Sequence, residues 1–160
     1  MTLHQRIGQG IDFHRLEEGR ELWLGGVHIN SPKGCVAHSD GDVLIHAICD
    51  ALLGAAGLND IGYHFPDTSS EYKGIDSKIL LRRVYDMVVE KGYHLVNADI
   101  TIMLQKPKLA GHIGLMRETI AGILASDISA ISVKATTTEK LGFVGREEGI
   151  AAYATVLLGR

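Results

Sequence analysis

Asp12-Phe13-His14 is the arrangement that most directly suggests chemistry. In an extended segment, residues two apart project to the same side, so a carboxylate at 12 and an imidazole at 14 can reach one ion. A second imidazole, His46, stands four residues from both Asp42 and Asp50 in a segment of helical periodicity, which places the three on one helix face. Imidazole nitrogens with one carboxylate suit Zn²⁺, and three protein ligands with a fourth corner open is the catalytic rather than the structural pattern. Asp12, His14 and His46 are therefore the expected zinc ligands, with Asp42 or Asp50 orienting His46 from behind. A D-x-H pair is common in unrelated chains, and a helical histidine on a polar face usually meets only solvent. The polar run His38-Ser39-Asp40-Gly41-Asp42 between the two elements favours a shared site.

Three further segments carry groups suited to phosphate or nucleotide. Asp60-Ile61-Gly62 and Phe65-Pro66-Asp67-Thr68 form a loop rich in carboxylates and accessible backbone, although Pro-Asp-Thr is also an ordinary turn and helix start. Thr136, Thr137 and Thr138 end a strand-like run and can aim hydroxyls and N–H groups at phosphate oxygens. Threonine is equally a good strand residue. Glu139 follows and suits a hard cation such as Mg²⁺, which prefers oxygen ligands shared with a substrate phosphate. In Gln105-Lys106-Pro107-Lys108, backbone groups can read a base edge while Lys108 approaches a phosphate, though the same string serves as an exposed connector.

These residues need a scaffold, and the hydropathy pattern supplies one. Gln5 to His14 reads as a short strand and Glu21 to Ile29 as a second strand or hairpin. Ser39 with Asp42 resembles a capping box ahead of a helix over Val43 to Ala56, ending near Gly57. Ser77 to Lys91 is a second helix, with Leu80, Leu81, Val84, Met87 and Val88 inward and Gly92 as its stop. Val96, Ala98, Ile100, Ile102 and Leu104 alternate as in a half-buried strand. A third helix spans Gly114 to Ser126, and strands follow at Ala130 to Ala135 and Ile150 to Leu158. Strands and helices intermix without strict βαβ alternation. The expected fold class is α/β of the α+β kind: a single-domain sandwich over residues 1–160, a mixed sheet with helices covering one face.

Composition narrows the function. Hydrophobic residues are 46% and charged residues 22% of the chain, and the formal net charge is −3, so no basic field argues for nucleic acid. No stretch reaches the ~20 apolar residues of a membrane span. Cys35 and Cys49 form no CxxC pair, and reduced thiols suit a cytoplasmic protein.

Taken together, the strings GQGIDFH (8–14), AHSDGDVLIHAICDALLGAAGLNDIGYHFPDT (37–68), KGIDS (73–77) and KATTTEKLGFVGREEGIA (134–151) closely resemble the 2-C-methyl-D-erythritol 2,4-cyclodiphosphate synthase family of the non-mevalonate isoprenoid pathway. The resemblance implies a homotrimer with active sites between neighbouring subunits. Its implied substrate is 4-diphosphocytidyl-2-C-methyl-D-erythritol 2-phosphate, whose 2-phosphate attacks the β-phosphorus so that CMP leaves and a cyclic diphosphate forms.

The family's residue roles carry over by motif. Asp12, His14 and His46 match its zinc ligands, one Zn²⁺ per subunit, with Asp12 and His14 also facing substrate. His38 and Ser39 match contacts to the methylerythritol phosphate, and His38 with Thr137 the positions credited with transition-state stabilisation. Asp60, Ile61 and Gly62, then Phe65, Pro66, Asp67, Thr68 and Ser69, match the erythritol-side loop. Leu104, Gln105, Lys106, Pro107, Lys108, Leu109 and Ala110 match the cytosine pocket. Thr136, Thr137, Thr138 and Glu139, with Phe143 and Arg146, match the phosphate side, where Glu139 approaches Mg²⁺ or Mn²⁺.

Departures are Ile11 where an aromatic is frequent, Ser69 where aspartate is common, and Lys106 in a slot often held by a small residue. Ile11 concerns the trimer axis, where relatives have a cavity able to take an isoprenoid diphosphate; Arg146 and Glu148 can line it here. Two other functions use the same residues: a zinc-dependent phosphohydrolase, and a non-catalytic module binding cytidine nucleotides or isoprenoid diphosphates.

Overall fold

A computed structural model describes residues 4–160; residues 1–3 of the expected 1–160 unit lie outside the described residues. The elements run β1 (Arg6–Glu18), β2 (Leu22–Leu24), β3 (Val27–Ile29), β4 (Lys33–Val36), α1 (Val43–Ala56), α2 (Ile61–His64), a 3-10 turn (Ser70–Tyr72) and α3 (Ser77–Glu90). They continue with β5 (His94–Met103), α4 (Ile113–Ile123), a 3-10 turn (Ile128–Ala130), β6 (Ile131–Thr136), α5 (Gly142–Gly145) and β7 (Gly149–Gly159). Five strands make one mixed sheet in the order β4-β1-β7-β5-β6, antiparallel except between β5 and β6. The remaining two form a separate hairpin turned by Gly25 and Gly26, with φ of +60° and +74°, backbone that favours glycine.

Helix α1 is the centre of the core. Its buried residues, among them Leu44, Ile45, Ile48, Leu52 and Leu53, fall on every side of the cylinder, as required of a helix held between a sheet and another helix. Each such side chain contributes roughly 1.5–3 kcal/mol by leaving water. The contact between α1 and β1 is backbone-close because both sides are small: a Cβ on Gly8 would stand 1.8 Å from the Ala51 carbonyl oxygen, and one on Gly10 would stand 1.9 Å from that of Ala47.

Along β1 the period of two buries or half-buries Gly8, Gly10, Asp12, His14 and Leu16 on the helix side. The other face carries Ile7, Ile11 and Phe13, joined across the register by Tyr153 on β7, and these large apolar side chains are exposed, Ile7 by 74%. Lys134 pairs with Asp99 on the same face of the neighbouring strands. The expected mixed sheet with helices on one side is thus present.

Several boundaries differ from expectation. β1 continues past His14 to Glu18 because β4, which the hydropathy pattern does not predict, pairs with Arg15 to Glu18. In β5 a register shift between Leu95 and Asn97 breaks the alternation, so Leu95 is buried and Val96 faces out. α4 stops at Ile123, and Ala125 adopts φ +46°. The capping box gives way to a different cap: Asp42 itself is the N-cap of α1, its side chain accepting from the Ile45 N–H.

Candidate metal centre and adjoining cavities

The close glycine contact between β1 and α1 brings together residues more than thirty positions apart. Asp12 and His14 leave the same face of β1 one pleat beyond Gly10, and His46 leaves α1 one residue before Ala47. The candidate ligand atoms of Asp12, His14 and His46 lie within 4.8 Å of one another. Asp12 Oδ2 is 3.0 Å from His14 Nε2 and 3.1 Å from His46 Nδ1, and the two imidazole nitrogens are 3.2 Å apart. Tetrahedral ligands at about 2.0–2.1 Å from an ion stand about 3.4 Å from each other. The three donors are therefore already near the edges of such a cage, and their chemistry fits a cation held by nitrogen and oxygen. Burial raises the Asp12 carboxyl, but hydrogen bonds and positive charge from His14 and His46 outweigh it and hold the group at about 2. Burial lowers His46, but its bond to Asp12 and the surrounding carboxylates prevail and raise it.

The expected support for His46 is corrected. The carboxylates of Asp42 and Asp50 bond backbone N–H groups and not the His46 ring; Asp42 meets His46 through the backbone, its carbonyl accepting the His46 N–H at 3.0 Å. Asp42 is fully buried and its two oxygens are taken by the N–H groups of Gly25 at 2.9 Å, Gly26 at 2.7 Å and Ile45 at 3.1 Å. Burial lifts its carboxyl to about 6, with those N–H bonds opposing. Asp50 accepts from the Ile61 N–H at 2.8 Å and so anchors the start of α2. The i, i+4 spacing misleads because a cap residue turns its side chain back to the helix end. In their place, His46 Nε2 meets Ser77 Oγ at 2.9 Å and Ser39 Oγ at 3.2 Å. Ser77 bonds Asp40 through both its hydroxyl and its N–H. Sequence reasoning does not single out Ser77; its position at the end of KGIDS is the available signal.

Beside the triad lies a cavity of about 530 Å³ lined by His14, His38, Ser39, His46, Ile61, Gly62, Phe65, Pro66, Asp67 and Thr68, with Ala37, Tyr72, Ile75 and Leu80. Most of the expected erythritol-side residues are thus gathered. Two, Asp60 and Ser69, are not in the lining. Asp60 caps α2 by accepting from the Tyr63 N–H at 2.9 Å, and the Ser69 carbonyl accepts from His38 Nε2 at 3.0 Å. Ser69 Oγ also caps the following 3-10 turn, the same service an aspartate would give there.

A second cavity, about 310 Å³, is lined by Leu104, Gln105, Pro107, Lys108, Leu109, Ala110, Ile113, Ala135, Thr136 and Thr137. Lys106 turns away and pairs with Glu147 at 3.4 Å. Beyond Thr137, the chain bends through Glu139 and Lys140, with φ of +53° and +64°. Thr138 Oγ1 donates to the Leu141 carbonyl at 2.7 Å, and the Lys140 N–H donates to Gln105 Oε1 at 3.2 Å. Phe143 lies 6.0 Å from Phe13, and Arg146 pairs with Glu148 at 2.8 Å.

The two cavities share no lining residue. His14 on β1 and Thr136 on β6 are separated by β7 and β5. Three strand spacings put them roughly 14 Å apart. Within one chain, the triad and the threonine loop do not close on a common point.

A mixed sheet roofed by a buried helix, with a carboxylate and two imidazoles caged where strand meets helix, defines a fold with a metal-ready centre. The family model for the YgbB family matches residues 5–159, and the chain belongs to that family. Within it, the named relatives are 2-C-methyl-D-erythritol 2,4-cyclodiphosphate synthases: that of Bacteroides thetaiotaomicron is 61% identical over 153 residues, 96% of each chain. A solved synthase in a CDP-bound form superposes with a TM-score of 0.89 at 41% identity, over 96% of this chain and 99% of that one. The CDP complex of the Plasmodium falciparum protein superposes with a TM-score of 0.86 at 38% identity, over 99% and 98% of the two chains. Among the described residues, no helix is long and apolar enough to cross a membrane.

Proposed function

We propose that the chain closes 4-diphosphocytidyl-2-C-methyl-D-erythritol 2-phosphate into 2-C-methyl-D-erythritol 2,4-cyclodiphosphate with release of CMP, in the cytoplasmic non-mevalonate route to isoprenoids. The observation that carries this reading is the convergence of Asp12, His14 and His46, the two imidazoles lining the cavity that also gathers His38, Ser39, Ile61, Gly62 and residues 65–68. Zn²⁺ at the triad, when bound, supplies Lewis acidity and a template for a diphosphate.

The chain's own residues supply the rest. Ile61, Gly62, Phe65 and Pro66 shape the wall that seats the methylerythritol unit. His38, fixed through Nε2 by the Ser69 carbonyl, presents its ring to the phosphate side. Thr136, Thr137 and Thr138 receive phosphate oxygens, Glu139 serves a second divalent cation, Mg²⁺ or Mn²⁺, and the backbone of residues 104–110 reads cytosine. His38 and Thr137 steady charge as it builds on the attacked phosphorus. The nucleophile is the substrate's own 2-phosphate, so orientation is the protein's main task, and such tethering is worth roughly 7–11 kcal/mol in favourable systems. ³¹P NMR of the product tests the reading: a cyclic diphosphate with CMP supports it, and a linear diphosphate product makes the protein a phosphohydrolase.

The reading includes a homotrimer whose sites lie between copies. The roughly 14 Å between the triad and the threonine loop of one chain supports it, as does the apolar sheet face left bare. Co-assembly of His46→Ala with Thr137→Ala chains, each inactive alone, should recover about a quarter of wild-type turnover by random mixing. No recovery would mean that each chain holds a complete site.

A further inference from the structure

We propose that Ser77 and Asp40 form a positioning relay behind the metal centre, one that fixes which nitrogen of His46 is free to ligate. The proposal rests on the reading of Asp12, His14 and His46 as a cation site.

An imidazole that ligates through Nδ1 must carry its proton on Nε2, and that proton needs an acceptor whose own hydrogen points elsewhere. His46 Nδ1 is the nitrogen facing Asp12 and His14. Two hydroxyls stand at Nε2. Ser77 Oγ is the nearer, at 2.9 Å against 3.2 Å for Ser39, and it is wholly buried. The Ser77 hydroxyl is already committed as a donor, to Asp40 Oδ1 at 2.5 Å. Toward His46 it can therefore only accept. A serine hydroxyl alone is indifferent to direction; the carboxylate behind it removes that freedom.

Asp40 is held as firmly as the groups it directs. Its Oδ2 accepts the Ser77 N–H at 2.8 Å and its Oδ1 the Asp42 N–H at 3.0 Å, while its own N–H donates to the Ile75 carbonyl at 3.1 Å. Ser77 opens α3, so the carboxylate sits at the positive end of that helix dipole, where an anion is favoured. Neither oxygen can become an amide nitrogen without facing a backbone N–H. Every donor and acceptor is thus assigned: the α3 terminus donates to Asp40 from one side, and from the other His46 donates to Ser77, which donates to Asp40. Ser39, which lines the cavity, also accepts the Gly41 N–H at 3.2 Å, and among the described residues no carboxylate takes its hydroxyl proton.

The test compares zinc affinity, by chelator competition, in wild type, Ser77→Ala and Asp40→Asn, with circular dichroism of the metal-free proteins to confirm folding. Loss of such an outer partner weakens metal binding about 10–100-fold. Asp40→Asn should do at least as much harm as Ser77→Ala, because an amide can donate to Ser77 and turn its hydroxyl proton against Nε2–H. A merely structural role predicts instead that affinity loss follows the change in melting temperature.

On the unaltered zinc-loaded protein, ¹H–¹⁵N spectra should show a hydrogen-bonded His46 Nε2 proton close to the Ser77 β-protons. Absence of that proximity overturns the relay even where a variant fails to fold. Wild-type zinc binding with unchanged affinity in Ser77→Ala overturns the relay alone, whereas failure of wild type to bind zinc removes the centre and the relay together.

Discussion

Replacing Gly10 by alanine puts a methyl carbon 1.9 Å from the Ala47 carbonyl oxygen and 2.7 Å from the Ala51 nitrogen. Carbon and oxygen relax at about 3.3 Å, so strand and helix must part locally by about 1.4 Å. Both obstructing atoms are main chain in a helix buried on every side, and no side chain can rotate out of the way. Overpacking of this sort costs about 1–3 kcal/mol, and the rigidity of both partners places Gly10→Ala at the upper end. The functional effect should be larger than the loss of stability suggests. Ala47 follows His46, so the same displacement opens the 3.1 Å between His46 Nδ1 and Asp12 Oδ2. A misplacement near 1 Å can cost ~100-fold in rate. Urea unfolding of the metal-free protein gives the first quantity, and zinc competition with ³¹P product assays gives the second. Gly8→Ala is the control: its methyl would stand 1.8 Å from the Ala51 oxygen, one turn further from His46, and should destabilise comparably with less effect on zinc. A Gly10→Ala protein with an unchanged unfolding midpoint and unchanged zinc affinity would refute the idea that this contact sets the cage.

Two further outcomes follow from the carboxylates. Asp42→Ala removes the cap of α1 and strands the Gly25 and Gly26 N–H groups, and should cost about 3 kcal/mol in denaturant titrations. Asp42→Asn keeps one oxygen for Gly25 and Ile45 and should cost less. Asp12 titrates the other way from Asp42: its folded value of about 2 lies below the ordinary 3.8. In the metal-free protein it therefore contributes about 2 kcal/mol above pH 3.8, a contribution lost as pH falls toward 2. Urea titrations of wild type and Asp12→Asn should show a gap at neutral pH that closes across this window, and a constant gap would contradict the assignment.

Long periodic elements were legible in the sequence because their pattern is local. α1 runs over Val43–Ala56 as its apolar spacing predicts, with Gly57 left-handed at its end, and the Gly25-Gly26 pair turns the expected hairpin. β4 and the far half of β1 were not legible. Their residues are short or charged, and they are strands only because they pair with each other. The triad could be read because D-x-H uses the two-residue strand period and His46 the helical one. What lies behind His46 could not, since Asp40 and Ser77 meet only when α3 docks on the loop before α1. The spacing of Asp42 mimics helix-face geometry, whereas the Gly25 and Gly26 N–H groups that claim its oxygens come from a hairpin distant in sequence.

The cage and the threonine loop of one chain stand on strands with two others between them, while the core that supports both is complete within that chain. In the proposed homotrimer, the object that folds and the object that turns over substrate are of different sizes. Diluted below its dissociation constant, such an assembly keeps the interior of each chain yet falls silent, and activity per chain declines with dilution while each chain stays folded.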